Sequence, residues 1–143
     1  MKITAKSDYA ILALFHLATE PSDQPVQARD ISVRQQIPHR FLEQILLNLK
    51  KAGLVHSVRG ARGGYQLAVP SNKITLRHAI EAVEGSIQLF DGEQGAGKKG
   101  DRHLLAGIWK EVEHKFVESL GSVTLDDIRH RKEQGRDVLM FHI

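Results

Sequence analysis

Residues 30–68 read DISVRQQIPHRFLEQILLNLKKAGLVHSVRGARGGYQLA, and their punctuation divides them into the end of a short helix, a longer helix and a hairpin. Pro38 stands where a helix can begin, because the amide proton that proline lacks has no partner in a helix's first turn. From there Phe41, Leu42, Ile45, Leu46 and Leu49 recur at helical spacing and mark a core-facing stripe as far as Ala52, with Gly53 placed just beyond the helix end. The opposite face carries His39, Arg40, Glu43, Gln44, Asn48, Lys50 and Lys51, polar and basic. Ahead of it, Ala28 to Gln36 reads as a short helix with Ala28 and Ile31 inward. Two helices joined by a short turn, the second presenting a polar face, form a helix-turn-helix candidate.

The two runs Leu54–Val58 and Tyr65–Val69 are strand-like and flank RGARGG, Arg59 to Gly64. Three glycines in these six residues permit positive φ at a tight or bulged hairpin tip, and Arg59 and Arg62 have nothing apolar there to pack on. A hairpin directly after a helix-turn-helix is a wing. A glycine-rich arginine tip allows close approach to a duplex and puts guanidinium groups on phosphates or in a narrow minor groove; the plainer reading is a solvated hairpin tip.

Outward from this segment, SDYAILALFHLAT at 7–19 opens with Ser7 as a possible N-cap and is apolar on nearly every side, through Tyr9, Ile11, Leu12, Leu14, Phe15 and Leu17. A helix of that kind must be covered on two faces. EPSDQPVQ at 20–27 reads as a loop. Thr75 to Glu84 reads as a helix with Leu76, Ala79, Ile80 and Val83 inward, closed by Gly85. Ser86 to Gly100 is glycine-rich, loses periodicity after Phe90 and is expected to be a flexible loop. Asp101 to Leu120 reads as a helix about 30 Å long with Leu105, Ile108, Trp109, Val112, Phe116 and Leu120 along one stripe. The simplest cover for that stripe is the same helix of a second copy, in a two-fold dimer. Thr124 and Asp127 form a capping-box-like start for a short last helix ending near Gly135, and the final VLMFHI is apolar without an assigned element.

The fold class is therefore mainly α with a small β-hairpin: a winged helix-turn-helix domain over residues 1–85, a flexible loop over 86–100, and a dimerisation helix with a C-terminal segment over 101–143. Composition agrees. The chain has 143 residues, 41% hydrophobic and 26% charged, which suits one globular domain with an appendage. It carries no long apolar run and no signal-peptide pattern, so a cytoplasmic protein with no membrane partner is expected. Charge is uneven: residues 1–78 hold 11 Lys/Arg against 5 Asp/Glu, while residues 79–143 hold 9 against 12. A basic first half suits a polyanionic partner. The sequence has no cysteine, which removes disulfides, thiol chemistry and every cysteine-held metal or iron-sulfur centre.

The segment 30–68, with SDYAILALFHLA before it and LRHAIEAVEG and the Trp109 helix after it, resembles the Rrf-two family of bacterial winged-helix transcription regulators over essentially the whole chain. The resemblance implies a homodimer on a pseudo-palindromic operator in double-stranded DNA, probing the major groove with the helix from Pro38 to Ala52 and the minor groove with the wing. It puts His39, Arg40 and Glu43 near base edges and Arg59 at the minor groove, with Gly60, Arg62, Gly63 and Gly64 shaping the wing. Elementary pairing rules agree: Arg matches guanine in two-pronged fashion, Glu accepts from cytosine N4, and Lys50 and Lys51 hold the backbone without reading sequence. Gln44 shares their face.

Many members of that family hold an iron-sulfur cluster on three cysteines in the loop before the long helix. Here the loop is present and the cysteines are not, so no cofactor is expected and cluster sensing does not transfer. His103 falls near the position of the last such cysteine, and Asp91, Glu93 and Asp101 are nearby oxygen donors, but their spacing matches no tight ligand pattern. The eight histidines show no HxH or HExxH spacing. No P-loop, paired carboxylate or Ser/His/Asp set suggests an enzyme. The leading reading is a DNA-binding regulator, most simply a repressor, controlled by a small molecule, a partner protein or its own abundance; the alternative is a winged-helix interaction scaffold. A metabolite between the winged domain and the long helix, under the 86–100 loop, is one expected site of control.

Overall fold

The computed structural model describes residues 3–21, 23–90 and 99–141, the last six of these as backbone. Its elements are α1 (Ala5–Thr19), α2 (Ala28–Gln35), α3 (His39–Lys51), β1 (Val55–Val58), β2 (Gly64–Leu67), a single 3-10 turn (Ser71–Lys73), α4 (Leu76–Glu84), α5 (Asp101–Gly121) and α6 (Leu125–Phe141).

α1 is the hub. Ala10, Ala13 and Leu14 are wholly buried, and α2, α3, α4, α6 and β2 all lie against the helix. Apolar residues on nearly every side of a helix require cover all round, and α1 has more than the two faces expected. It also begins earlier than Ser7. Ser7 is buried in the first turn, and its hydroxyl donates to Glu84 Oε1 at 3.1 Å, an oxygen that also accepts from the Thr4 hydroxyl. The Ser7 hydroxyl thus fastens the end of α4 instead of capping its own helix.

The turn between α2 and α3 passes through Gln36 at φ 54, a left-handed position taken by a residue with a side chain. It is held by the Ile37 amide donating to Ser32 O at 3.0 Å and the Ser32 hydroxyl donating to Ile37 O at 2.6 Å. Pro38 sits at the N-cap of α3, one position before the first helical turn. The far end closes with Gly53 at φ 77, its amide bonded to Lys50 O and the Leu54 amide bonded to Leu49 O, both at 3.0 Å. That is the paired Schellman bonding a glycine beyond a helix end makes possible. Leu42, Ile45, Leu46 and Leu49 fill the core as their spacing predicts. Phe41 does not: it lies about 100° round the helix from Leu42, at the stripe's margin, is 45% exposed, and stacks on Tyr9 with ring centres 6.5 Å apart.

β1 and β2 pair antiparallel, Val55 with Leu67 and Val58 with Gly64, and are slightly shorter than the runs read from sequence. The other edge of β2 is not free. Val26 and Tyr65 exchange amide-to-carbonyl bonds of 2.9 and 2.8 Å, so the 20–27 segment contributes a one-residue third strand to the wing.

α4 starts with a capping box formed by Thr75 and His78. Ile80 of α4, Ile87 and Leu120 of α5 form a small second cluster with Phe116 packed against it. α6 then returns to the main core: Leu125 is buried there, the Leu125 amide bonds Ile74 O, and Lys132 lies 5.3 Å from the Phe15 ring centre. Its start is the expected reciprocal pair, Thr124 N–H to Asp127 Oδ2 at 2.8 Å and Asp127 N–H to Thr124 Oγ1 at 3.1 Å. Its end is not the expected one, because the helix runs through Gly135 to Phe141 and takes in most of VLMFHI. A glycine in a helix interior costs only about 1 kcal/mol and does not by itself stop the helix. No helix among the described residues is long and apolar enough to cross a membrane.

Candidate nucleic-acid interface

The burial of Leu42, Ile45, Leu46 and Leu49 turns the other side of α3 outward, and His39, Arg40, Glu43, Gln44, Lys50 and Lys51 are all exposed on it. Neighbours one turn apart pair along this face: His39 Nε2 with Glu43 Oε1 at 3.1 Å, and Gln44 Nε2 donating to Asn48 Oδ1 at 3.2 Å. Exposed pairs of this kind contribute well under 1 kcal/mol, so they orient the side chains and are readily exchanged for another partner. Arg40 lies over the Phe41 ring, 4.6 Å from its centre, which holds the guanidinium near the start of the helix.

The wing is shaped by backbone that only glycine tolerates. Gly60 has φ 114, and the Gly63 amide donates to Gly60 O at 3.0 Å to close the tip. A Cβ on Gly63 would fall 2.1 Å from Val58 O, and one on Gly64 would fall 2.4 Å from Val26 O. Arg59 and Arg62 are exposed, and neither makes a hydrogen bond or ion pair among the described residues. Helix and wing are tied together where Lys50 Nζ donates to Ser57 Oγ at 2.9 Å. Ser57 was missed from the sequence; its alternate position in a strand starting next to the helix end is the signal that could have found it. Val26, the brace behind the wing, was missed too, and a single bridging residue leaves no periodic trace.

The predicted stripe on α5 divides. Leu105, Ile108, Trp109 and Val112 are exposed, as is Leu104 beside them at 65%. Leu120 is buried within the chain and Phe116 is half-buried with it, because the C-terminal part of α5 packs on α4. Ahead of α5, Trp109 meets Phe90 with ring centres 4.8 Å apart, and Glu113 Oε2 accepts from the Leu89 amide at 2.8 Å. Asp91 and Glu93 lie outside the described residues, as does most of the expected 86–100 loop. Asp101 and His103 are exposed in the first turn of α5, and no group of three potential ligands occurs among the described residues. A cluster held on thiolates does not fit this donor set, since the sequence contains no cysteine.

A family model described as an iron-dependent transcriptional regulator, Rrf2, matches residues 3–131. The transcriptional regulator IscR of Pectobacterium carotovorum is 37% identical over 135 residues, covering 93% of this chain and 82% of that protein. Among solved structures, T. potens IscR is 35% identical with a TM-score of 0.76 over 94% of this chain and 90% of that one. CymR of B. subtilis, described as its global cysteine regulator, is 31% identical with a TM-score of 0.68, covering 90% and 95% of the two chains. These relatives are regulators and not enzymes. The helix pair, the hairpin that follows it and the long helix after them are shared at this level of identity along nearly the whole length, and the chain belongs to the Rrf2 family of helix-turn-helix transcriptional regulators.

Proposed function

We propose that this chain is a sequence-specific DNA-binding repressor that acts as a homodimer on a pseudo-palindromic operator, without an iron-sulfur cluster. The observation that carries the reading is the placement of the arginine-bearing hairpin beside the outward polar face of α3, set by the Gly53 and Leu54 amides bonding back to Lys50 O and Leu49 O, with the Lys50–Ser57 bond alongside. In this reading His39, Arg40, Glu43 and Gln44 meet base edges in the major groove, Lys50 and Lys51 meet phosphates, and Arg59 and Arg62 reach the minor groove and its backbone. The exposed apolar residues Leu104, Leu105, Ile108, Trp109 and Val112 form the seam with a second copy. Phe116 and Leu120 support that helix from within the chain. A dimer seated on promoter DNA excludes other proteins from it, which makes repression the expected direction.

The test is selection of genomic fragments by the purified protein at about 150 mM salt, where non-specific electrostatic binding is suppressed. Recovery of a two-fold symmetric motif supports the reading. Recovery of unrelated fragments, with no loss on Arg59→Ala, overturns it in favour of an interaction scaffold.

A further inference from the structure

A cleft of about 540 Å³ opens between the base of the wing and α6, and no described residue of α3 or α5 lines it. Its apolar wall comes from Leu17, Val26, Leu67 and Val69, and Arg129 of α6 stands in its lining. The Arg129 guanidinium is only partly compensated. Nη2 lies 3.3 Å from Asp126 Oδ1, an oxygen that also accepts from the Ser71 hydroxyl, while the buried Nε–H has no acceptor among the described residues. A buried donor left unpaired is costly, and a cation that shares its one carboxylate with another donor has capacity for a second anion. Glu20, at the rim, stands 3.6 Å from His16, whose buried ring is neutral, so that carboxylate repels an anion, and the place for one is at Arg129, the one cation among the described lining residues.

We propose that this cleft binds a small carboxylate with an apolar body, its acid group taken by Arg129 and its hydrocarbon seated on Leu17, Val26, Leu67 and Val69. The size suits a ligand of modest dimensions. Two of the wall residues belong to the bridge and strand that brace the wing, since Val26 is paired to Tyr65 and Leu67 ends β2. A ligand wedged there acts on the wing's base, so occupancy alters DNA affinity; this consequence, unlike the binding itself, rests on the proposed reading as a DNA-binding regulator. It also moves the expected site of metabolite control from the long helix to the wing.

The experiment titrates the DNA-free full chain with butyrate, isovalerate, benzoate and phenylacetate, each against its amide, and reads thermal stability and calorimetric heat up to about 10 mM. At least one carboxylate is expected to raise Tm in a dose-dependent way, its amide to bind at least about tenfold more weakly, and Arg129→Gln to abolish the effect. Arg129→Lys, which keeps the charge and the surface pair with Asp126, is the folding control, and its unliganded Tm is expected to match the parent's. Absence of stabilisation by all four acids, or an unchanged response in both variants, overturns the site. With an active acid, operator affinity is expected to change by about fivefold or more. Binding without such a change overturns the regulatory role and leaves the operator selection above as the separate test of DNA recognition.

Discussion

Lys50 Nζ donates to Ser57 Oγ at 2.9 Å, so the last turn of α3 and the first strand of the wing share a side-chain bond in addition to the Schellman closure between them. Because the bond is exposed, its net stabilisation is small, and its value is positional. Lys50→Ala is expected to weaken binding to operator and random DNA alike and to reduce the slope of log affinity against log salt by about one, the signature of a single lost phosphate contact. A variant that loses operator binding selectively assigns Lys50 to base reading instead.

Arg59 and Glu43 are expected to behave differently from Lys50 and from each other. Arg59→Ala removes an exposed guanidinium at the wing tip and is expected to weaken operator binding by about 1–3 kcal/mol, with a smaller loss on random DNA. Glu43→Ala frees His39 from its 3.1 Å contact and removes an acceptor for cytosine N4. Its expected result is a relaxed consensus in fragment selection with little loss of affinity. Equal losses on all DNA for Arg59→Ala, or an unchanged consensus for Glu43→Ala, would remove those residues from sequence recognition.

These residues were legible because strong local signals surround them. Pro38, Gly53 and a four-leucine-and-isoleucine stripe delimit α3 from chemistry within one turn of each boundary, and the glycines of RGARGG announce the hairpin tip. What was not legible depends on contacts between distant residues. The Ser7 hydroxyl reads locally as a cap, yet its acceptor Glu84 lies 77 residues away. Phe41 belongs to the apolar stripe by spacing and leaves it because Tyr9 of α1 offers a stacking partner outside the core. α6 passes Gly135 because a weak propensity penalty does not stop a helix.

The wing glycines give a stability prediction. A Cβ at position 64 would stand 2.4 Å from Val26 O, and at position 63 it would stand 2.1 Å from Val58 O, both against backbone that cannot swing aside. Gly63→Ala and Gly64→Ala are each expected to destabilise by about 1–3 kcal/mol, as overpacking does. Gly60→Ala meets nothing within 4 Å and carries only the strain of its φ of 114. Denaturant unfolding of the three variants checks the order, and a Gly64→Ala protein as stable as the parent would mean that Val26 does not brace β2.

Ile108 tests the dimer seam. It is 45% exposed on α5 beside Trp109 and is a member of neither hydrophobic cluster among the described residues. Ile108→Asp is therefore expected to leave the monomer folded and to halve the mass measured by light scattering from that of two 16.0 kDa chains. Leu120→Ala is expected to lower stability, by about 2–5 kcal/mol as for a buried leucine, without that direct effect on assembly. A dimer that survives Ile108→Asp places the seam elsewhere.

His16 makes stability depend on pH. Its ring is 4% exposed, and burial pushes its pKa below the ordinary 6.5, helped by the positive charges of Arg34 and Lys132 and opposed by Glu20 and Asp30. The 3.6 Å approach of Glu20 is thus no ion pair at neutral pH, since burial outweighs the carboxylate's attraction and leaves the ring neutral. The unfolded chain takes up a proton at His16 near 6.5 and the folded chain does so only at lower pH, so between the two values unfolding binds a proton. This contribution is fully present above 6.5 and is lost as pH falls from there through the lowered folded value. His16→Gln keeps a polar side chain beside Gln35, whose amide nitrogen lies 3.4 Å from His16 Nδ1, and removes the titration. The difference in unfolding free energy between parent and variant is expected to be constant above pH 7 and to shrink as pH drops below 6.5. A constant difference throughout would show that His16 titrates alike in the folded and unfolded chain.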